Sequence, residues 1–463
     1  ELADSEDILF IRNMMELFEV GKYEGNSVSI AEYLRTYISR GEIRIISECT
    51  EEEMATIELN SQNYLSFFQI IRLEEPREDL ENIIIKKVRD IASATNLKIE
   101  QDAIKEVLQL NNRYSHYSGL PGRPIRFLES ILINRKNRKS EKSLTIGRSE
   151  VIRAFCEDTG MPVFMVDPSI PIDLDRVKTR FNNSVFGQEK AVESVVNLLA
   201  SIKTALTQTG KPIASLLFVG PTGVGKTELA KVLAEFIFGN RNRMIRFDMS
   251  EYSDPYAVTR LVGSGYFSDG LLTSAVRKEP FAVLLFDEIE KADPSFYDLL
   301  LQVLSEGRLT DVRGKLVNFC STIIIMTSNI GAKSLNERPI SLVNQNEKQQ
   351  VIEHFMSAVQ NFFRPEMFNR IDEVIPFNPL DKLNVRFVVD REIALLRKRE
   401  GIQFRRMHLD ISDAVYDYLA EKGYGSKYGA RQLQRTIREE LIIPLAKALN
   451  SEDFDDQLLV QAQ

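Results

Sequence analysis

Gly220-Pro221-Thr222-Gly223-Val224-Gly225-Lys226-Thr227 has the residue types and spacing of a phosphate-binding loop. Glycines so placed leave backbone N–H groups free to converge on phosphate oxygens, and a helix starting at the loop's end adds the partial positive charge of its N-terminus. Lys226 is then expected to reach the β and γ phosphates of a nucleotide, and Thr227 to hold Mg2+. About sixty residues on, Val283-Leu284-Leu285-Phe286 ends abruptly in Asp287-Glu288. Asp287 is expected to help hold the metal, and Glu288 to polarise a water toward the γ phosphate. A third run, Thr322 to Met326, ends in Thr327-Ser328-Asn329, and the Asn329 amide is placed to orient that water. Taken alone, Asn329 would be a turn residue, and the carboxylate pair an ordinary strand end. Arg370, in Phe363-Arg364-Pro365-Glu366-Met367-Phe368-Asn369-Arg370-Ile371-Asp372, and Arg431, in Tyr428-Gly429-Ala430-Arg431, could neutralise charge on a transferred phosphoryl group, since a guanidinium presents a rigid donor fork.

Groups so far apart in sequence need a scaffold that gathers them. Ala214 to Val219 reads as a buried strand leading into the loop, and Glu228 to Phe238 has helical spacing after it. Leu216–Val219, Met244–Phe247, Phe281–Phe286, Thr322–Met326 and Val374–Phe377 are short apolar runs separated by helical stretches, the pattern of a doubly wound parallel sheet. Ligands bind at the carboxyl ends of such strands, where the loop and the acidic pair fall. Asp381 to Gln463 has three helical stretches and ends in Gln457–Val460, read as an edge strand.

The first 160 residues repeat the plan in reduced form. Ile8–Ile11, Ile30–Ile38, Ile43–Ile46 and Phe67–Leu73 alternate strand and helix patterns, and Leu80–Ile91, Ala103–Leu110 and Ile125–Ile133 are helical. Pro162, Pro168 and Pro171 mark a linker. The expected divisions are an α/β unit over 1–76, a helical domain over 77–161, the linker over 162–172, a second α/β unit over 173–379 and a C-terminal small domain over 380–463.

Bulk properties narrow the class. With 463 residues, 43% of them apolar, the chain can form several cores. Fifty-nine basic and 67 acidic residues give a net charge of −8, with no basic stripe to favour nucleic acid. No apolar stretch is long enough to span a membrane, and no signal-peptide pattern opens the chain. Cys49, Cys156 and Cys320 are scattered and odd in number, as are His116, His354 and His408, so neither a disulfide framework nor a zinc site is expected, and a cytoplasmic setting is. Glu1 is not a start methionine, so the chain is expected to be part of a longer one.

The loop, Phe247-Asp248-Met249-Ser250-Glu251-Tyr252, Phe286-Asp287-Glu288-Ile289-Glu290-Lys291-Ala292, Gly307-Arg308-Leu309-Thr310-Asp311, Met326-Thr327-Ser328-Asn329, the Arg370 block and Gly429-Ala430-Arg431 occur in one order. That order resembles the second AAA+ module of the Clp ATPases. The resemblance implies a P-loop AAA+ fold in two tandem modules, the first partial, with helical small domains and ATP or ADP with Mg2+ as cofactors. It makes Asn329 the sensor 1 residue, Arg370 a finger that reaches a neighbour's nucleotide and Arg431 the sensor 2 residue of its own subunit. Val185-Phe186-Gly187-Gln188 looks like the segment that lines the adenine. It further implies a hexameric ring of identical subunits that threads polypeptide, gripped by Tyr266 or Phe267 on a loop shorter than the family's usual one.

In the first unit Arg12 and Asn13 stand where the family has Asp and Glu, and Ser66 and Phe67 stand where it has two arginines. This module is therefore expected not to hydrolyse nucleotide and to serve as a structural tier, its own phosphate loop lying before Glu1. The segment between Arg126 and Pro162 leaves no room for the coiled-coil insertion of ClpB-type disaggregases, a layout similar to ClpA. At Ile340-Ser341-Leu342 the family pattern implies a tripeptide that docks on a ClpP-like protease, with Ser341 in place of its glycine. Two rivals remain open at this stage: a dedicated disassembly motor for a secretion-type complex with no protease partner, and an AAA+ motor acting on nucleic acid.

Overall fold

The computed structural model describes residues 7–22, 28–76, 78–93, 97–114, 119–137, 145–204, 206, 208–263, 269–312, 314–332, 345–404, 408–423, 429–450 and 457–460. The first unit pairs β1 (Ile8–Ile11) with β2 (Arg44–Ser47) in parallel, Ile8 opposite Arg44 and Ile11 opposite Ser47. Parallel neighbours need a long crossover, and α1 (Ile30–Ser39) supplies it. Its start is fixed by a capping box in which Ser29 and Glu32 satisfy each other's backbone N–H. After β2 comes α2 (Glu51–Asn60), begun by a second capping box between Thr50 and Glu53. Met14, Leu17, Phe18, Ala31, Ile57, Tyr64 and Leu65 form a small separate core.

Four helices follow: α3 (Leu80–Ser93), α4 (Gln101–Tyr114), α5 (Gly122–Asn137) and α6 (Arg148–Thr159). Then α7 (Leu174–Asn182) and α8 (Glu189–Lys203) lead into the second unit. Its sheet contains β3 (Ala214–Val219), β4 (Met244–Asp248), β5 (Val283–Asp287), β6 (Ile323–Ser328) and β7 (Glu373–Pro376), all parallel, in the spatial order β7-β3-β6-β5-β4. Every residue of β3, β5 and β6 is buried. Alternate side chains go to opposite faces: Leu216, Phe218, Leu285 and Ile325 join one core, while Leu217, Val219, Phe286 and Met326 join another. Between the strands run α9 (Lys226–Phe238), α10 (Pro294–Glu306) and α11 (Gln345–Phe362). The last part of the chain carries α12 (Lys382–Arg397), α13 (Asp413–Gly423) and α14 (Gly429–Ile437). There β8 (His408–Ile411) pairs in parallel with β9 (Gln457–Val460).

The strand expected at Phe67–Leu73 is not formed. Phe67 closes a short 3-10 turn, and beyond it Ile71 and Leu73 are 76% and 92% exposed. The reason lies in pairing. In the second unit the strand at this place in the plan, β7, pairs only with β3, the strand before the phosphate loop. Among the described residues the first unit has no such strand, so an apolar composition finds no backbone partner. Helix α4 instead ties the first unit to the second: the Tyr114 ring packs 5.8 Å from Phe281, and its carbonyl accepts a hydrogen bond from Ser321. These two partners precede β5 and β6, the strands that carry the acidic pair and Asn329.

Candidate active site

Between β3 and α9 the chain turns through Gly223 and Gly225 at φ of 76° and 106°, values that side chains with a Cβ rarely adopt. A Cβ on Gly225 would also come within 3.1 Å of Val185. The turn places Lys226 at the first position of α9 with only 8% of its surface exposed. Its ammonium donates to the carbonyls of Gly220 and Pro221, the latter at 2.9 Å, and to Asn329 Oδ1 at 2.8 Å. Burial pushes the Lys226 amine down to about 8; the carboxylates of Glu290, Asp287 and Glu288 oppose the shift and Arg431 adds to it.

The register of the sheet sets the acidic pair beside this amine. Asp287 ends β5 and is buried. It accepts a hydrogen bond from the Thr327 hydroxyl on the neighbouring β6, and its other oxygen lies 2.6 Å from the Arg246 guanidinium on β4. Thr327 Oγ1 also receives the Glu288 backbone N–H at 3.1 Å. Glu288 sits at φ 58°, ψ 53°, a left-handed conformation costing a residue with a Cβ roughly 1–2 kcal/mol. That twist leaves its carboxylate at the cleft wall, ion-paired with Lys291. One residue past β6, Asn329 donates its backbone N–H to Glu290 Oε1 at 3.0 Å while its side chain faces Lys226.

The remaining wall comes from the C-terminal part of the chain. Ala430 donates its N–H to the Gly223 carbonyl at 3.0 Å, which seats the start of α14 on the phosphate loop and puts Arg431 in the lining. The cleft measures about 310 Å³, with Thr222 to Thr227, Asp287, Glu288, Asn329 and Arg431 among its walls. Val185 and Phe186 form its apolar end with Leu380 and Val388. Phe186 stacks at 5.8 Å on Phe387.

Three expected contact residues do not line the cleft. Gly187 has φ 68°, and a Cβ there would meet Asn384 at 2.6 Å, so its part is a tight backbone passage. Gln188 is locked to the Asn378 backbone by two reciprocal hydrogen bonds of 2.8 and 2.9 Å. Pro221 contributes a carbonyl to Lys226.

Residues 211–374 match the family model of an AAA domain (Cdc48 subfamily), and residues 380–461 match that of the C-terminal D2-small domain of ClpB protein. The chaperone protein ClpB of Gloeobacter violaceus is 44% identical over 316 residues, which are 67% of this chain and 36% of that protein. The ClpB of Brucella suis is 36% identical over 400 residues, 84% of this chain and 45% of its own length. Among solved structures, a closed state of Hsp104 with ATPγS and FITC casein superposes with a TM-score of 0.80 at 29% identity, covering 100% of this chain and 79% of that one. An extended S. cerevisiae Hsp104:casein complex gives 0.78 at 30% identity, covering 97% and 77%.

The chain belongs to the Clp family of AAA+ ATPases. It spans between about a third and a half of the length of these curated ClpB relatives.

For a Clp-type module the position of Arg370 is informative. It is exposed and does not line the cleft. Its carbonyl accepts from the Ser215 hydroxyl at 3.0 Å, and the Asp372 carboxylate takes both the backbone N–H and the hydroxyl of Ser215 at 2.7 and 2.8 Å. Ser215 lies at the beginning of β3, whereas the phosphate loop follows its end. Four residues of strand, Leu216 to Val219, separate Ser215 from the loop, roughly 16 Å at strand spacing. The Arg370 backbone is thus at the opposite end of β3 from its own cleft.

At the end of β1, Asn13 accepts the Met15 N–H at 2.9 Å and Arg12 is exposed, so no carboxylate stands where the second unit has Asp287 and Glu288. Among the described residues no His, Cys, Asp and Glu cluster is arranged to hold a metal, Cys49, Cys156 and Cys320 are free thiols, and no helix is long and apolar enough to cross a membrane. Tyr266, Phe267, Ile340, Ser341 and Leu342 lie outside the described residues.

Sequence reasoning missed Arg391, Arg246 and Glu290. Arg391 forks between the Ser184 carbonyl at 3.0 Å and Glu228 on α9, linking the C-terminal part to two other segments that line the cleft. No motif announces it, because its partners are far away in sequence. Glu290 falls inside a quoted motif, three residues past the end of β5, and Arg246 interrupts the apolar run Met244–Phe247 of β4, so both could have been singled out as charged residues beside the site.

Proposed function

We propose that the second module hydrolyses ATP and uses the energy to remodel or unfold other proteins. One observation carries this reading: Lys226, Asp287, Glu288, Asn329 and Arg431, drawn from separate elements, meet around one cleft whose apolar end is formed by Val185 and Phe186. Backbone N–H groups of the loop and the Lys226 ammonium would hold the phosphates. Glu288, twisted into the cleft, is the base that would take a proton from the attacking water, and Asn329 would orient that water. Arg431 would bear on the phosphates from within the subunit.

The Thr227 hydroxyl and the Asp287 carboxylate offer oxygen donors beside the loop, which suits a hard cation, and Asp287 already faces a cationic group in Arg246. Bound there, Mg2+ would offset phosphate charge.

Since the exposed Arg370 has its backbone at the far end of β3 from its own cleft, it would serve the cleft of an adjoining subunit, and turnover would require a ring of identical subunits, a homohexamer in our reading. Protein substrates are favoured because Hsp104, which shares the fold along nearly this whole chain, appears in complexes with casein. Tyr266 or Phe267 would grip them, and the first unit would serve as a structural tier. Ile340, Ser341 and Leu342 would be the place for a ClpP-like protease to dock, whereas the relatives from Gloeobacter violaceus and Brucella suis carry the ClpB name. We place the protein in the cytoplasm, with no nucleic-acid or membrane partner.

The deciding experiment is Glu288→Gln. Nucleotide affinity should change by less than about threefold while turnover falls at least a hundredfold. Undiminished turnover would refute the assignment.

A further inference from the structure

Asn329 does not hold its own position. Its backbone N–H is accepted by Glu290 Oε1 at 3.0 Å, and Glu290 lies on the short turn Ile289–Lys291 that follows the acidic pair. The other oxygen, Oε2, is buried and hydrogen-bonds to nothing among the described residues. Glu290 therefore makes one bond that matters geometrically, through an oxygen that an amide could replace. The turn is anchored in turn by Tyr297 on α10, whose hydroxyl donates to the Ile289 carbonyl at 2.7 Å. The Tyr297 ring stands edge-on to Phe363 at 5.7 Å. Phe363 is buried and directly precedes the Arg364–Arg370 block, and Arg364 is ion-paired at 3.4 Å with Asp298, the residue after Tyr297.

A continuous physical chain thus runs from the Arg370-bearing segment to the tip of β6: Phe363, Tyr297, the Ile289 carbonyl, Glu290, the Asn329 N–H and finally the Asn329 amide against Lys226. We infer that Glu290 is a positioning residue, which with Tyr297 braces the Asn329 amide against the segment that carries Arg370. Resting on the proposed ATPase site, this adds a mechanical link between the element that would face a neighbouring subunit and the group that would orient water. Glu290 acts through Asn329, and its negative charge is not what the brace uses.

Three variants of the full chain test this. Glu290→Gln keeps an oxygen acceptor for Asn329, Glu290→Ala removes it, and Tyr297→Phe removes only the hydroxyl. Two readouts are needed. In hydrogen exchange, which requires no turnover, peptides covering Thr327 to Ala332 should exchange at least about fivefold faster in Glu290→Ala and near the wild-type rate in Glu290→Gln. In ATPase assays, Glu290→Ala should lower kcat about tenfold or more with KM and ADP affinity within about twofold, and Glu290→Gln should stay within about threefold of wild type. Tyr297→Phe should lower kcat by a smaller factor, and adding it to Glu290→Ala should cost nothing further.

Unchanged exchange and kcat in Glu290→Ala would overturn the inference, and so would a Glu290→Gln variant as impaired as Glu290→Ala, because the charge would then be the essential property. Should Glu290→Ala fail to fold, Glu290→Gln and Tyr297→Phe decide by the same criteria. A wild-type chain without turnover would count against the proposed function and leave the exchange measurement to judge the brace.

Discussion

Nucleotide entering the cleft should bring proton uptake that grows as pH rises from 7 to 9. Lys226 is buried and its amine is pushed down to about 8, so near pH 8 it is charged in only half of the molecules. Phosphate oxygens placed against it would restore a value near the ordinary lysine figure of about 10.4. The difference in bound protons is then roughly 0.1 at pH 7, 0.5 at pH 8 and 0.9 at pH 9. Apparent affinity should fall about tenfold between pH 7 and 9, or about 1.4 kcal/mol. The terminal phosphate of ADP titrates near pH 6 and drops out of this window. Calorimetric titration with ADP, without added metal, in two buffers of unlike ionisation enthalpy gives the proton count directly. Lys226→Met should bind weakly and lose the linkage. A buffer-independent heat and a flat affinity from pH 7 to 9 in the wild-type chain would refute the placement of Lys226 at the phosphates. The sign for folding is opposite: above about 8 the unfolded chain holds this proton more tightly than the folded one, so the contribution of Lys226 to stability improves as pH rises from 8 toward 10.5.

Three further outcomes follow from the geometry. Arg370→Ala should lower turnover at least a hundredfold without loss of ADP binding, and mixing it with Glu288→Gln subunits should restore activity, since one supplies the intact finger and the other the intact base; no recovery on mixing would argue for a role within the same subunit. Gly225→Ala forces a Cβ into φ 106° and toward Val185, which should cost about 1–2 kcal/mol in the loop and weaken ADP binding about tenfold, as read by fluorescence titration. Tyr266→Ala should leave basal hydrolysis within about twofold while slowing unfolding of a stable protein substrate, and equal unfolding rates would shift the grip to Phe267 or away from this loop.

What could be read in the sequence was whatever lies on contiguous residues. The phosphate loop and the Asp287-Glu288 pair are legible because a turn, a helix start and a strand end each have local causes, and the buried strands because long apolar runs are rare outside parallel sheets. Phe67–Leu73 misled for the same reason: composition records what a strand would be made of, and pairing decides whether it forms. Gly187 and Gln188 were read as contacts because they adjoin Val185 and Phe186. The partner that fixes Gln188, Asn378, is 190 residues away, so no local pattern could separate a brace from a wall. Arg391 was invisible on the same ground.

Arg370 shows the converse. Its motif was legible, but its meaning depends on which end of the strands it occupies, and that follows from Ser215 and Asp372 meeting across 157 residues. An arginine whose backbone is tied to the start of β3, with its side chain exposed, is set apart from the loop at the strand's end. If it acts in the chemistry at all, a second copy of the chain must bring its cleft to it. The brace through Tyr297 and Glu290 gives such a contact a route back to Asn329, so that docking of a neighbour would bear on two clefts: the neighbour's directly, and the subunit's own through the tip of β6.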